Sequence, residues 1–231
     1  MRRIFAAALA LILSASPAGA AERRYTVTDF DRIQLDGPYQ VTLATGRNSG
    51  ARAVGSQAAI DRLSVEVQGR TLRIRTSRSA WGGYPGDQSG EVTLEVTIRD
   101  LREALVAGSG SLAIDKAKGL RLELTVTGNG RLTAASVDAD NLIVGLLGSG
   151  RVEIAGKAKQ LRATIRGTGD FAGRGLQADD AQISADTAGM VAVGVLRSAR
   201  VNAIGSGDVS VIGHAACTLT GPAASRVRCG D

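Results

Sequence analysis

Aromatic side chains are scarce in this 231-residue chain, which holds three Phe, three Tyr and one Trp. So few rings argue against an extended platform that stacks sugars or bases. There is one histidine, His214, and no partner for it can be placed, so it reads as a solvent-facing loop residue. Two cysteines, Cys217 and Cys229, with that one imidazole are too few for a zinc-type ligand set, so no metal and no cofactor are expected. Dense basic blocks are also missing. Arg121, Arg131, Arg151, Arg162 and Arg166 are strung along the chain and read as solvated faces, not as a surface for nucleic acid or another anionic polymer.

Long apolar runs are confined to the first residues. Met1-Arg2-Arg3, an apolar stretch from Ile4 to Leu13, and small residues ending at Ala20 make a secretory leader with cleavage expected after Ala20. That stretch is too short to cross a hydrocarbon core of about 30 Å, and no later run approaches the roughly 18 residues a span needs. The expected product is exported, periplasmic or in the cell envelope or secreted, with no membrane span once the leader is gone. In that compartment Cys217 and Cys229 are expected to form one disulfide. The net charge falls from +6 to +4 when Arg2 and Arg3 leave.

What the chain has in abundance is glycine, 30 residues, in a periodic tripeptide. Gly108-Ser-Gly110, Gly128-Asn-Gly130, Gly148-Ser-Gly150, Gly167-Thr-Gly169 and Gly205-Ser-Gly207 recur with a degenerate copy, Thr187-Ala-Gly189, at spacings of 20, 20, 19, 20 and 18 residues. Apolar residues alternate ahead of each step, as in Leu122, Leu124 and Val126 or Leu142, Val144 and Leu146, and behind it, as in Leu132 and Ala134 or Val152 and Ile154. Period-two alternation is the strand signature, and a fixed period near 20 is that of a solenoid. One such unit cannot bury its own apolar face, but units stacked about 4.8 Å apart share a continuous core. Hairpin turns in an antiparallel sandwich would also separate alternating strands, though six steps in phase favour stacking.

The glycines are therefore structural turns, needed where each coil bends at the same corner with φ > 0. No helix follows them, so a phosphate cradle is not supported. The residues between them, Ser109, Asn129, Ser149, Thr168, Ala188 and Ser206, are expected to form a ladder that hydrogen-bonds along the stack.

Three parts are expected: the leader, 1–20; an N-terminal β segment, 21–100, continuous with the solenoid and covering one end; and the repeat solenoid, 101–231. Within the second part Leu63 to Val67, a turn at Gly69, and Leu72 to Ile74 read as a hairpin, and Asp36-Gly37-Pro38 reads as a turn. A brief helix fits only Gln57 to Arg62. Residues 77–90 break all periodicity and contain Trp81 and Tyr84, the candidate ligand-binding residues. At the far end Cys217 and Leu219 are expected to align with Val201 and Ala203, with both sulfurs inward, so that the bridge staples the last coil.

Phe30-Asp-Arg-Ile33 followed by Gly37-Pro-Tyr-Gln-Val-Thr-Leu43, Gly69-Arg-Thr-Leu72-Arg-Ile74, and the serial glycine steps with Asp170 and Asp208 behind two of them resemble the putative auto-transporter adhesin head GIN domain family of secreted bacterial proteins. The resemblance covers nearly all of the chain after the leader. It implies an all-β, single-stranded right-handed β-helix, in agreement with the stacking argument. No C-terminal membrane barrel follows in this sequence, so export through a pore of its own is not implied.

The function expected is that of a non-catalytic binding or surface-interaction module, with an envelope protein or a glycan as partner. The competing class is a carbohydrate-active enzyme, a polysaccharide lyase or hydrolase, on the same scaffold. Such chemistry uses clustered carboxylates. Asp170 and Asp208 fall two coils apart with Met190 between them, slightly beyond an inverting pair, and Arg151 is expected to pair with Asp170. Three or more charged side chains converging beside these two aspartates would favour the enzyme.

Overall fold

The computed structural model describes residues 21–77 and 92–230. The expected leader and the loop residues Trp81 and Tyr84 lie outside them. Nearly every described residue belongs to one parallel β-solenoid of coils about 20 residues long, with three faces per coil. No helix among the described residues is long and apolar enough to cross a membrane.

The coils are continuous along β10 (Ala117–Gly128), β11 (Arg131–Gly148), β12 (Arg151–Gly167), β13 (Asp170–Thr187) and β14 (Val191–Ala203). In β11, residues 131–134 form one face, 137–139 the second and 141–148 the third, and each pairs in parallel with its counterpart in β12. Inward side chains stack in columns. One of them runs Ile74, Leu35, Val106, Val126, Leu146, Ile165, Ala185 and Ala203, all buried. The column narrows from branched residues to alanine toward the C-terminal end, so the core tapers.

The uneven repeat spacings have local causes. The 19-residue coil loses one residue at the second corner, where the three-residue step from Ala134 to Val137 is matched by Ile154 to Gly156. Gly156 accommodates it with φ 123°, at a point where a Cβ would lie 2.1 Å from the carbonyl oxygen of Val137. The 18-residue coil is cut at the same corner, since Gly173 and Gln177 pair with the consecutive residues Val193 and Gly194.

The glycine steps stack as one corner. The first glycine of the early copies has positive φ, 95° at Gly108 and 121° at Gly148. The second has ordinary dihedrals but no room: a Cβ on Gly150 would sit 2.5 Å from the oxygen of Gly130. At Thr187 the positive φ is dispensed with. Its buried hydroxyl accepts the Gly189 N–H at 2.9 Å and donates to the Gly169 carbonyl at 3.2 Å.

The expected hydrogen-bonded side-chain ladder is not what joins the corners. Backbone does so, as in Ser149 N–H to Gly128 O and Thr168 N–H to Gly148 O, both 2.9 Å. The corner carbonyls thus take the N–H groups of the next coil, and the hydroxyl and amide side chains are left outward.

The N-terminal region stacks out of chain order. β2 (Arg32–Asp36) and β3 (Gln40–Thr45) form a coil bent at Gly37, φ 121°. On one side lie β8 (Glu103–Gly108) and β9 (Ser111–Ile114), on the other β6 (Thr71–Thr76) and β7 (Val92–Ile98). Asp36-Gly37-Pro38 is therefore the first corner of the stack, directly beneath Gly108. The end is closed antiparallel by β1 (Ala21–Tyr25) and β4 (Gly50–Gly55) beside β7, and by β5 (Leu63–Gln68), which makes the expected hairpin with β6. A one-turn helix, α1 (Gln57–Asp61), links them, its N–H at Ala59 capped by the Ser56 hydroxyl at 3.2 Å.

The other end carries β15 (Val209–Ile212), β16 (Ala216–Thr220) and β17 (Val227–Cys229). Cys217 and Cys229 are disulfide-bonded, joining β16 to β17 with Cα atoms 6.5 Å apart. The register is two residues from the expected one: Cys217 pairs with Ala199 and Leu219 with Val201. Neither sulfur-bearing residue is in the core; Cys217 is half-buried and Cys229 exposed, because no further coil covers them.

Candidate functional site

Outward side chains of a parallel in-register stack fall into columns, just as inward ones do. Where the second face meets the third, two columns line a concavity of about 500 Å³. One column reads Arg121, Asn141, Gln160, Asp180 and Ser198; the other reads Ile143, Arg162, Gln182 and Arg200. The trough meets a second hollow of about 590 Å³ at Arg121, which continues past Leu120 to Arg102 and Arg32. Together they make a polar groove along most of the stack, floored by backbone that is hydrogen-bonded coil to coil. Asp180 is the one carboxylate lining the first hollow, and it is already engaged, by Arg197 Nη2 and the Ser198 hydroxyl, each at 2.7 Å.

A second, smaller hollow of about 160 Å³ lies past the glycine corner, where Arg151, Asp170, Arg174 and Asp208 surround Met190, Ala172 and Ala192. Arg151 donates to Asp170 Oδ2 at 2.7 Å, the expected pair. The Met190 N–H donates to the other oxygen at 2.9 Å. That backbone bond first, and Arg151 second, hold the Asp170 carboxyl below its ordinary value of 3.8. Four charged side chains thus gather beside Asp170 and Asp208, as the enzyme alternative requires. Asp170, however, is held in the form that has no proton to give.

A third, open strip follows the corner itself, about 440 Å³, bordered by Ser109, Asn129, Ser149, Arg131 and Arg151. His214 is exposed, and no group of three or more His, Cys, Asp or Glu able to hold a metal occurs among the described residues. The groove residues Asn141, Gln160, Gln182 and Arg200 were not among those the sequence singled out. The signal for them exists: outward positions read in steps of one repeat fall into the same columns.

A profile of the family described as "putative auto-transporter adhesin, head GIN domain" matches residues 29–215. Among solved structures, a putative adhesin from Bacteroides fragilis NCTC 9343 superposes with a TM-score of 0.80 at 18% identity, over 91% of this chain and 96% of that one. A putative lipid binding protein from Parabacteroides distasonis ATCC 8503 gives 0.68 at 20% identity, over 92% and 97%. A putative adhesin from Parabacteroides merdae ATCC 43184 gives 0.63 at 14% identity, over 93% and 96%. At these identities the likeness is one of fold. No curated protein sequence matches the chain.

Proposed function

We propose that this chain, which belongs to the putative auto-transporter adhesin, head GIN domain family, is an exported, non-enzymatic binding module of the bacterial envelope whose contact surface is the long polar groove. The observation that carries this reading is the continuity of the groove across successive coils, with amide and guanidinium groups on a rigid, regularly spaced frame. Fixed donors on β-strands lose little entropy on binding and favour an extended ligand that can meet several coils at once. A glycan array with the chain lacking residues 1–20, beside the variant Asn141→Ala/Gln182→Ala, tests it. Glycan binding that weakens in the variant is expected; binding that is unaltered by it would place the contact elsewhere. Trp81→Ala, run in parallel, assigns or removes the loop residues Trp81 and Tyr84 as contributors.

A second reading, a carbohydrate-active enzyme at the hollow of Arg151, Asp170, Arg174 and Asp208, has the gathering of four charges in its favour. It needs a proton donor that Asp170 does not supply. Release of reducing ends from polysaccharides by the native chain, abolished in Asp208→Asn, would establish the enzyme and displace the binding-only reading.

A further inference from the structure

The groove's cations are not placed at random. Arg121 pairs with Asn141, and Asn141 with Gln160, so Arg121 stands two coils from Gln160. Arg162, two residues after Gln160 on the same coil, pairs with Gln182, and Gln182 with Arg200. Guanidinia therefore occupy alternate coils, with a layer of neutral or internally paired polar groups between: Asn141 and Ile143 in one gap, Asp180 and Gln182 in the other. The coil spacing of about 4.8 Å puts Arg162 and Arg200 roughly 10 Å apart. Neither makes a hydrogen bond or an ion pair with a described residue, whereas Arg121 has Glu123 at 3.7 Å. Elsewhere on the stack exposed cations are commonly matched, as with Lys118 and Asp138 or Lys159 and Asp140.

Resting on the groove as the contact surface, we propose that its ligand is an acidic polysaccharide carrying one anionic group per disaccharide, held by Arg162 and Arg200 with Arg121 at the near end. A fork of donors on a guanidinium suits a carboxylate or sulfate, and an uncompensated pair in one concavity concentrates positive potential there. The period then selects among polyanions. An extended acidic polypeptide presents same-side carboxylates at about 6.8 Å, too short for two coils. A nucleic acid strand carries charge more densely still and would want rings to stack on, which this groove does not have among its lining residues. A polysaccharide with one acid per disaccharide has the longest charge repeat of the three. Its intervening sugar presents hydroxyls, which both donate and accept, to the side chains of Asn141, Gln160 and Gln182, which do the same.

The test is titration of the chain lacking residues 1–20 with hyaluronan oligosaccharides, which have one carboxylate per disaccharide. Alginate, with one per sugar, a neutral β-glucan and poly-glutamate serve as comparators. Arg162→Gln/Arg200→Gln is expected to lose affinity for hyaluronan by about tenfold per guanidinium. Arg131→Gln/Arg166→Gln removes the same net charge from exposed positions outside the groove and is expected to change it less than about twofold. Equal losses in the two double variants, or tighter binding of alginate or poly-glutamate, would overturn the proposal as a nonspecific charge effect. Binding of the neutral glucan that depends on Asn141 and Gln182 but not on the arginines would overturn it while leaving the groove as the site. Binding of no glycan at all would remove both.

Discussion

Arg70, at the turn between β5 and β6, holds the buried carboxylate of Asp31 with Nε at 3.0 Å and Nη2 at 2.9 Å. Arg102, just ahead of β8, reaches the same oxygen at 3.4 Å, and its N–H donates to the Asp31 carbonyl at 2.8 Å. One side chain thus ties three strands that are far apart in sequence but adjacent in the stack. Asp31→Ala is expected to destabilise the chain by about 2 kcal/mol, below the 3–5 of a fully buried pair because the guanidinia are exposed. Urea unfolding followed by circular dichroism measures it, and a change under about 0.5 kcal/mol would deny Asp31 this role.

The corner glycines divide into those that need a missing Cβ and those that do not. A Cβ on Gly148 would lie 2.4 Å from the Gly128 oxygen, at φ 121°, whereas one on Gly69, φ 62°, meets nothing within 4 Å. Gly148→Ala is expected to cost about 3 kcal/mol or more, and Gly69→Ala about 1. Comparable melting temperatures for the two variants would show that the corner relaxes freely.

Reduction of Cys217–Cys229 releases a short loop, worth at most about 3 kcal/mol to the segment it closes. Because a solenoid transmits stability between neighbours, the effect should stay near the end. Hydrogen exchange in Cys217→Ser/Cys229→Ser should quicken in β16 and β17 and remain slow in β11 and β12. Uniform loss of protection would mean the bridge supports the whole stack.

Asp170 should make stability pH-dependent in one direction only. Its folded pKa is below the ordinary 3.8, so the carboxylate stabilises the fold above that value and loses its contribution as pH falls through the lower, folded value. Asp170→Asn should therefore be less stable than the parent at neutral pH, by no more than about 1 kcal/mol at so exposed a pair. The gap should close below about pH 4. A gap that persists into strong acid would point to a packing effect of the substitution.

Much of the solenoid was legible because its contacts are translations of one another. A residue about 20 positions on is the neighbour above, so the inward column through Val126, Leu146 and Ile165 could be read by eye, as could the pairing of Arg151 with Asp170. The groove was less legible. Arg121, Arg162 and Arg200 are about 40 residues apart, and shortened corners at Gly156 and Gly194 shift the simple count by one and then two residues. That slip also accounts for the difficulty at Cys217, whose partner is Ala199.

By itself the sequence determined the strand period, the corner positions, the inward faces and the cysteine pair, all of which follow from local alternation and steric demands repeated at a fixed interval. Tertiary structure alone decided that β6 and β7 lie beneath β2 and β3 while β8 and β9 lie above, since any compatible edge can accept a parallel strand and local pattern does not choose among them. It also decided which outward residues share a groove. Lateral neighbours on a stack are set by register summed over every intervening corner, a quantity that no single repeat contains.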